Sequence, residues 1–206
     1  MKSQSSDTAP VTKKKVRLAY LVSHPIQYQA PLLRRISQEP DIDLTVFFGS
    51  SFSVRGYKDR GFGVGVEWGV SLLDGYRYEF LPTIRDGERT GMTWPINYGI
   101  FSRLRGTGAK PRFDALWVHG YATVNAMHAM LAAKALGIPV LLRAEPWLKD
   151  RKRSEAKLAV KRVFFKGLRE LVSGAMPIGT LNEAYWRHYL GDNLPLFSFP
   201  YAVDND

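Results

Sequence analysis

The 206-residue chain contains no cysteine. This absence excludes disulfide bonds, thiolate metal sites and a cysteine nucleophile, and it fits a reducing cytoplasm. The sequence also lacks a long apolar run. The longest weakly charged stretch, residues 115–142, is interrupted by Lys134, Gly137 and Pro139, so we interpret it as a helix between two strands rather than a membrane span.

Residues 1–15 have no apolar segment of the kind found in signal peptides and are predicted to be a disordered basic tail. No spacing of His, Asp and Glu is typical of a metal site, and the G-x-S-x-G motif of serine hydrolases is missing. We therefore expect neither a metal nor a cofactor. The glycine-rich residues 61–65 neither follow a clear strand nor open a helix, so they are predicted to be an ordinary loop.

Negative charge is scarce, because the chain contains 19 Asp and Glu residues but 29 Lys and Arg residues, which gives a net charge of +10. Residues 1–15 contribute +3, and residues 143–170, with ten basic and four acidic side chains, contribute +6. Because the rest of the chain is close to neutral, the basicity forms a patch that indicates a surface partner. Aromatic residues do not interleave with the basic run as a base-stacking platform requires, so we expect no nucleic-acid partner.

Apolar segments alternate with helical patterns, which predicts βαβ units and a parallel sheet. The chain length suits one domain, residues 16–206. We expect an α/β, Rossmann-like, doubly wound and mostly parallel sheet of about six or seven strands with helices on both faces. Strands are predicted at 16–22, 42–48, 78–81, 113–118, 138–142, 175–178 and 196–199. Helices are predicted from Pro31 to Ile36 and at 97–104, 123–136, 149–171 and 182–190, and His128 is expected to pack in the core.

If the strand order is 3-2-1-4-5-6, the loops after the first, fourth and fifth strands border one crevice. Their polar side chains suit a polyhydroxylated or phosphorylated ligand. The candidates are His24, Gln27, Tyr28, His119, Tyr121, Arg143 and Glu145. Structural interpretations stay open: His119 as a cap of local backbone, His24 as a turn former, and Arg143 with Glu145 as an ion pair. The first loop, residues 23–29, contains no glycine, so this half of the molecule is not expected to be the main holder of a nucleotide.

Several segments together resemble a known family: RLAYLVSHPIQYQAPLLRRI, WGVSLLDGYRYEFLP, LLRAEPW, IGTLNEAYWRHYLG and FPYAVDND. Over residues 16–206 the chain resembles the N-terminal domain of GT-B glycosyltransferases of family 4, also called group 1. In that family a similar Pro-x-x-Val-Asp stretch ends the N-terminal domain. The departures are the absence of the family's glycine pair in the first loop and the end of the sequence at Asp206.

The resemblance implies a hexosyltransferase-type enzyme that transfers a sugar, with retention at the anomeric carbon, from a nucleotide-sugar donor to a glycan or lipid-linked acceptor. The product would belong to a cell-surface polysaccharide or glycolipid. It further implies that a C-terminal domain holds the donor nucleotide, that this domain holds the acceptor, and that His119 approaches the donor sugar as the catalytic residue. Because no second domain follows Asp206, the 206-residue chain is expected to be inactive alone. The alternative is a non-catalytic module of the same fold that binds a glycan, a lipid or a partner.

The predicted basic helix has an apolar arc that includes Ala156, Val160, Val163 and Phe164, and this arc is expected to face the sheet. The opposite face would then carry two apolar residues among cations, which indicates contact with an anionic lipid surface. The candidates for this contact are Leu158, Lys161, Arg162, Phe165 and Arg169. The alternative is an ordinary solvated face. The expected location is the cytoplasm, at the inner face of the cell membrane.

Overall fold

The computed structural model describes residues 14–54, 57–58, 65–66, 71–85, 90–149 and 154–202. Its strands are β1 (Val16–Val22), β2 (Ile42–Phe48), β3 (Tyr57–Lys58), β4 (Gly65–Val66), β5 (Arg77–Phe80), β6 (Thr83–Arg85), β7 (Ile96–Asn97), β8 (Ala115–His119), β9 (Val140–Arg143) and β10 (Gly174–Ala175). Its helices are α1 (Ala30–Ser37), α2 (Ile100–Arg105), α3 (Val124–Ala135), α4 (Glu155–Arg169) and α5 (Thr180–Leu190). Most of the predicted tail and residues 150–153 of the predicted basic helix lie outside the described residues. Of the loop predicted at 61–65 only Gly65 is described, and there the prediction is wrong, because Gly65 pairs with Lys58 as part of β4.

Six strands form one parallel sheet in the order β5-β2-β1-β8-β9-β10. All seven residues of β1 pair with β2, and Leu18–Leu21 pair with β8 on the other side. Numbered along the chain, the six strands have the order 3-2-1-4-5-6, which is the order assumed in placing the crevice. The chain therefore has a Rossmann-like α/β fold, and its winding reverses between β1 and β8.

Both faces of the sheet are covered, which explains why β1 reads as an almost continuous apolar run. Tyr20 and Val22 pack with Leu33 of α1 on one face, where Trp117 also lies. Ala19 and Leu21, which alternate with them along the strand, belong to the core under α2, α3, α4 and α5 on the other face. One face therefore holds α1, and the other holds the remaining helices.

Of the last two predicted strands, the first is shorter than expected and the second is not formed. β10 ends at Ala175, because Pro177 has no N–H to continue the ladder. The strand predicted at 196–199 is wrong: this segment pairs with β10 only through a bridge between Ala175 and Leu196. Beyond that bridge, the Phe199 N–H donates to the Pro177 carbonyl at 2.8 Å, so the segment lies extended beside the sheet without forming a strand.

A hairpin of β6 and β7 that the sequence did not reveal is held against the end of β2 by Asn97. The Asn97 side-chain amide donates to the Gly49 carbonyl at 2.8 Å, and its backbone N–H donates to Asn125 Oδ1 at 2.9 Å. A Cβ atom at Gly49 would lie 2.8 Å from Asn97 Oδ1, so only glycine permits this approach. The hairpin places residues 90–95 beside the start of α3, where the Val124 N–H donates to the Met92 carbonyl at 2.9 Å.

Helix α4 faces the sheet with the side opposite to the one predicted. Phe165 and Leu168 are buried, whereas Val160 and Val163 are 71% and 73% exposed. Phe165 packs against the rings of Tyr121, Tyr185 and Tyr189. The apolar arc that was expected to face the sheet therefore faces outward. No helix in the described part of the chain is long and apolar enough to cross a membrane.

Candidate functional site

The loops after β1, β8 and β9 leave the same edge of the sheet, as the assumed strand order requires. His119 and Arg143 are register partners at the ends of β8 and β9, and the Gly120 N–H donates to the Arg143 carbonyl at 2.7 Å. On the other side of β1, the Ser50 N–H donates to the Ser23 carbonyl at 2.8 Å. The carboxyl ends of four neighbouring strands thus border one crevice at the point where the winding reverses.

His119 is the side chain held most tightly in this crevice. The side-chain amide of Gln29 lies 2.8 Å from His119 Nδ1, and the Tyr20 hydroxyl, 3.1 Å from Nδ1, donates to Gln29 Oε1 at 2.7 Å. Because the amide N–H of Gln29 donates to Nδ1, this nitrogen carries no proton in the neutral imidazole. The proton therefore resides on Nε2.

The Nε2 atom of His119 points toward a carboxylate at the rim of the crevice. His119 Nε2 and Glu145 Oε1 are 3.7 Å apart, which is longer than a direct hydrogen bond. The Tyr28 hydroxyl donates to the same Glu145 oxygen at 3.4 Å. His119 lowers the pKa of Glu145, and burial together with the carboxylate of Glu145 raises the pKa of Tyr28 to about 12. A donor and an acceptor thus face the crevice side by side, an arrangement that suits a ligand hydroxyl.

Arg143 is completely buried beside this pair. Its guanidinium lies 4.5 Å from the Tyr201 ring centre and 4.7 Å from that of Phe199. None of its three side-chain nitrogens has a hydrogen-bond partner among the described residues, and burial lowers its pKa. The interpretation of Arg143 and Glu145 as an ion pair is therefore wrong. A buried cation without a hydrogen-bonded anion adds positive potential to the crevice.

Among the described residues, two of the other predicted residues, His24 and Gln27, form no hydrogen bond with His119. His24 is hydrogen-bonded to Ser23 Oγ at 2.9 Å and packs against the Phe52 ring with ring centres 4.6 Å apart. This arrangement agrees with its interpretation as a turn residue. Gln27 is exposed. Tyr121 lies on the other side of the crevice, and its hydroxyl is 2.7 Å from that of Tyr185.

A cavity of about 380 Å³ lies on the α3 side of the crevice. Its polar lining includes Ser23, His119, Thr123 and Asn125, and the hairpin turn contributes Gly91 and Met92. Within the described residues no cluster of three or more His, Asp or Glu side chains is placed to hold a metal ion.

The sequence interpretation missed two residues of this site, Tyr20 and Gln29. Gln29 is the last residue of the polar first loop, residues 23–29. Its side chain turns inward and is only 3% exposed, and nothing in the sequence indicates this orientation. Tyr20 lies in the middle of an apolar strand, where a buried hydroxyl needs a hydrogen-bond partner. A tyrosine within a buried strand therefore indicates a polar partner nearby, and this signal could have identified Tyr20.

The structure is a Rossmann-like α/β domain with a polar crevice at the point where the winding of its sheet reverses. No protein-family model matches the chain. No curated protein matches its sequence. Among solved structures, one described as the crystal structure of TcCGT1 in complex with UDP matches with a TM-score of 0.49 and 11% sequence identity. The match covers 94% of this chain and 54% of that one, so the present chain spans about half the length of that protein.

Proposed function

We propose that this chain is the acceptor-side half of a retaining glycosyltransferase. The enzyme transfers a hexose from a nucleotide-sugar donor to a glycan or lipid-linked acceptor in the synthesis of a cell-surface polysaccharide or glycolipid. The observation that carries this proposal is the fixed tautomer of His119 at the switch point. Its Nε2–H, 3.7 Å from Glu145, faces the crevice and can donate to a sugar hydroxyl or a phosphate oxygen placed there.

The electrostatics of the crevice support the same function. Sugar transfer from a nucleotide sugar leaves negative charge on the departing phosphate, and preorganised donors or cations lower the free energy of such a transition state. The buried Arg143 guanidinium supplies a fixed positive charge, and Glu145 supplies an acceptor for a hydroxyl. The roles are thus His119 as the catalytic hydrogen-bond donor, Glu145 and Tyr28 as hydroxyl-binding residues, and Arg143 as the source of positive potential.

The donor nucleotide is proposed to be held mainly by a second domain. The first loop contains no glycine with which to cradle a pyrophosphate, and His24 packs on Phe52 instead of lining the crevice. The proposed location is the cytoplasmic face of a membrane. The proposed contact now excludes Phe165, which is buried, and Lys161, which lies 4.3 Å from the Tyr189 ring centre. Leu158 is half-buried and contributes little surface to such a contact. Arg162 and Arg169 are exposed and remain the candidates for contact with lipid.

The test is a titration of the complete protein that the gene encodes with a panel of nucleotide sugars, followed by NMR assignment of the anomer formed. We expect a retained anomer and a loss of transfer rate of about 100-fold or more in H119N. The control H188N changes an exposed histidine on α5 and is expected to keep the parent rate. Transfer by H119N at the parent rate would contradict the assignment of His119. Glycan binding without transfer from any donor would support the non-catalytic module instead.

A further inference from the structure

Helices α3 and α4 enclose an apolar groove of about 730 Å³ on the outside of the molecule. Its lining includes Met92, Met127, Leu131, Val160 and Phe164. Three of these remain largely open to solvent, since Met92 is 71%, Leu131 54% and Val160 71% exposed. A contiguous exposed apolar surface of this kind marks a binding site, because leaving it in water is unfavourable.

The composition of the two helices shows that the groove is not a gap left by poor packing of the core. α3 buries Ala126, Ala129 and Met130 against the sheet and still presents Val124 and Leu131 outward. His128, expected in the core, is exposed and lines the groove. α4 likewise points its apolar arc outward and buries Phe165 instead. Both helices are thus apolar on two sides, one facing the sheet and one facing the groove.

Charge defines the chemistry of the occupant. The exposed Lys157 lines the groove, and none of its lining residues within the described chain is acidic. Lys161 also lines it, but its ammonium lies over the rings of Tyr185 and Tyr189. An apolar groove bordered by the ammonium group of Lys157 is complementary to an anionic amphiphile, whose chain lies in the groove while its head pairs with this lysine. A neutral lipid would leave the exposed ammonium group of Lys157 without a counter-charge.

The groove joins the crevice that contains His119. Met92, Tyr121, Ala122 and Thr123 line both the groove and the 380 Å³ cavity beside His119. A chain lying between α3 and α4 can therefore direct its polar end toward His119. This continuity connects the groove to the proposed chemistry rather than to an unrelated surface.

We propose that the groove binds the single long hydrocarbon chain of a phosphate-bearing amphiphile, and that this amphiphile is the acceptor. The second part rests on the proposed function and narrows its acceptor from a glycan or lipid-linked molecule to an anionic lipid. Lys157 pairs with the phosphate, and Val160, Phe164 and Leu131 cover the chain. The proposal concerns one lipid molecule in the groove, not adsorption of the helix to a membrane surface.

The test is calorimetric titration of the protein with oleoyl lysophosphatidate, a single-chain phosphate monoester, below its micelle concentration and without nucleotide sugar. We expect saturable 1:1 binding, weaker binding of the zwitterionic oleoyl lysophosphatidylcholine, and no detectable binding of glycerol 3-phosphate. V160D should weaken binding at least 10-fold. Its control V163D alters an equally exposed α4 valine outside the groove and should change binding less than 2-fold. K157Q should weaken binding about 5-fold, and K166Q, outside the groove, should not.

Each contrary result identifies a different occupant and overturns the proposal. Equal losses in V160D and V163D would mean adsorption of the whole α4 face to lipid. Concentration-dependent self-association that V160D abolishes would mean a second copy of the chain. Failure of lysophosphatidate to bind, with His119-dependent sugar transfer intact, would remove the groove inference alone. Tight binding with transfer to a glycan but to no lipid would leave a lipid-binding groove and remove its acceptor role alone. Tight binding with no transfer to a lipid or a glycan would remove the proposed transferase as well.

Discussion

The side-chain amide nitrogen of Gln29 lies 2.8 Å from Nδ1 of His119, across 90 residues of sequence. Gln29 is fixed in turn by the buried hydroxyl of Tyr20, 2.7 Å from its Oε1. Burial raises the pKa of Tyr20 well above its ordinary value, so this hydroxyl remains a proton donor at neutral pH. The pair Tyr20–Gln29 therefore determines which nitrogen of His119 presents a proton to the crevice.

Replacing Gln29 by Glu should reverse this tautomer. A carboxylate accepts a hydrogen bond from the Nδ1–H group, so the neutral imidazole would carry its hydrogen on Nδ1 and expose an unprotonated Nε2 to the crevice. The ¹⁵N chemical shifts of a histidine-labelled sample report the exchange of the two nitrogens directly. Sugar transfer by the complete protein should fall about 100-fold, because the donor at the crevice is lost.

The control for this prediction is Q27E, which adds the same charge two residues away on an exposed side chain. It should leave both ¹⁵N shifts and transfer unchanged. A Q29E protein whose Nε2 still carries the proton would show that Gln29 does not set the tautomer, and would make it a purely structural residue.

Replacing Arg143 by Met should stabilise the fold. The guanidinium is fully buried with no hydrogen-bond partner among the described residues, and its ring contacts with Phe199 and Tyr201 offset only part of its desolvation cost. A methionine side chain can pack between the same two aromatic rings without the desolvation cost of a charge, so the free energy of unfolding should rise by about 1–3 kcal/mol. Urea denaturation measures it.

The exposed Arg112, which packs on Phe113 with 5.2 Å between its guanidinium carbon and the ring centre, is the matched control. R112M should change the free energy of unfolding by less than about 0.5 kcal/mol. If R143M proved less stable than the parent protein, the buried charge would be structural, and its proposed role in supplying positive potential would lose its support.

The stability of the fold should fall when the pH drops from 7 toward 4, through His24. Burial, with a smaller contribution from the charge of His119, lowers the pKa of His24 to about 4, against an ordinary value near 6.5. Between these values the unfolded chain binds a proton that the folded chain does not, so acidification favours unfolding. The contribution is about 3 kcal/mol. H24N, which keeps a polar group beside Ser23, should flatten this part of the stability profile in urea titrations. An unchanged slope would disprove the assignment.

The reversed face of α4 is tested by two truncations. F165A should lower the free energy of unfolding by about 3–5 kcal/mol, because it removes a ring that is 1% exposed and packed among aromatic residues. V163A, at a position 73% exposed, should change it by less than about 0.5 kcal/mol. Thermal denaturation of both variants compares them directly. The opposite ranking would restore the orientation predicted from the sequence.

The same helix shows where sequence patterns fail. A helical projection of α4 identifies its widest apolar arc, and burial of the widest arc is the ordinary expectation. That expectation failed because α4 has two apolar sides. Which side the sheet receives depends on Tyr121, Tyr185 and Tyr189, which converge on Phe165 from distant parts of the sequence.

The amino-acid sequence by itself determined the alternation of strands and helices and the parallel sheet that this alternation builds, while the strand order was assumed and came from the structure. Apolar runs, Pro31 at the start of α1 and Gly137 and Gly191 after α3 and α5 are local signals, and local signals fix elements that alternate into a parallel sheet. The contact of Gln29 with His119, the burial of Arg143 and the outward apolar side of α4 were decided only by the tertiary structure. Each of these depends on which side chains from remote segments meet at a given point, and no spacing within one segment contains that information.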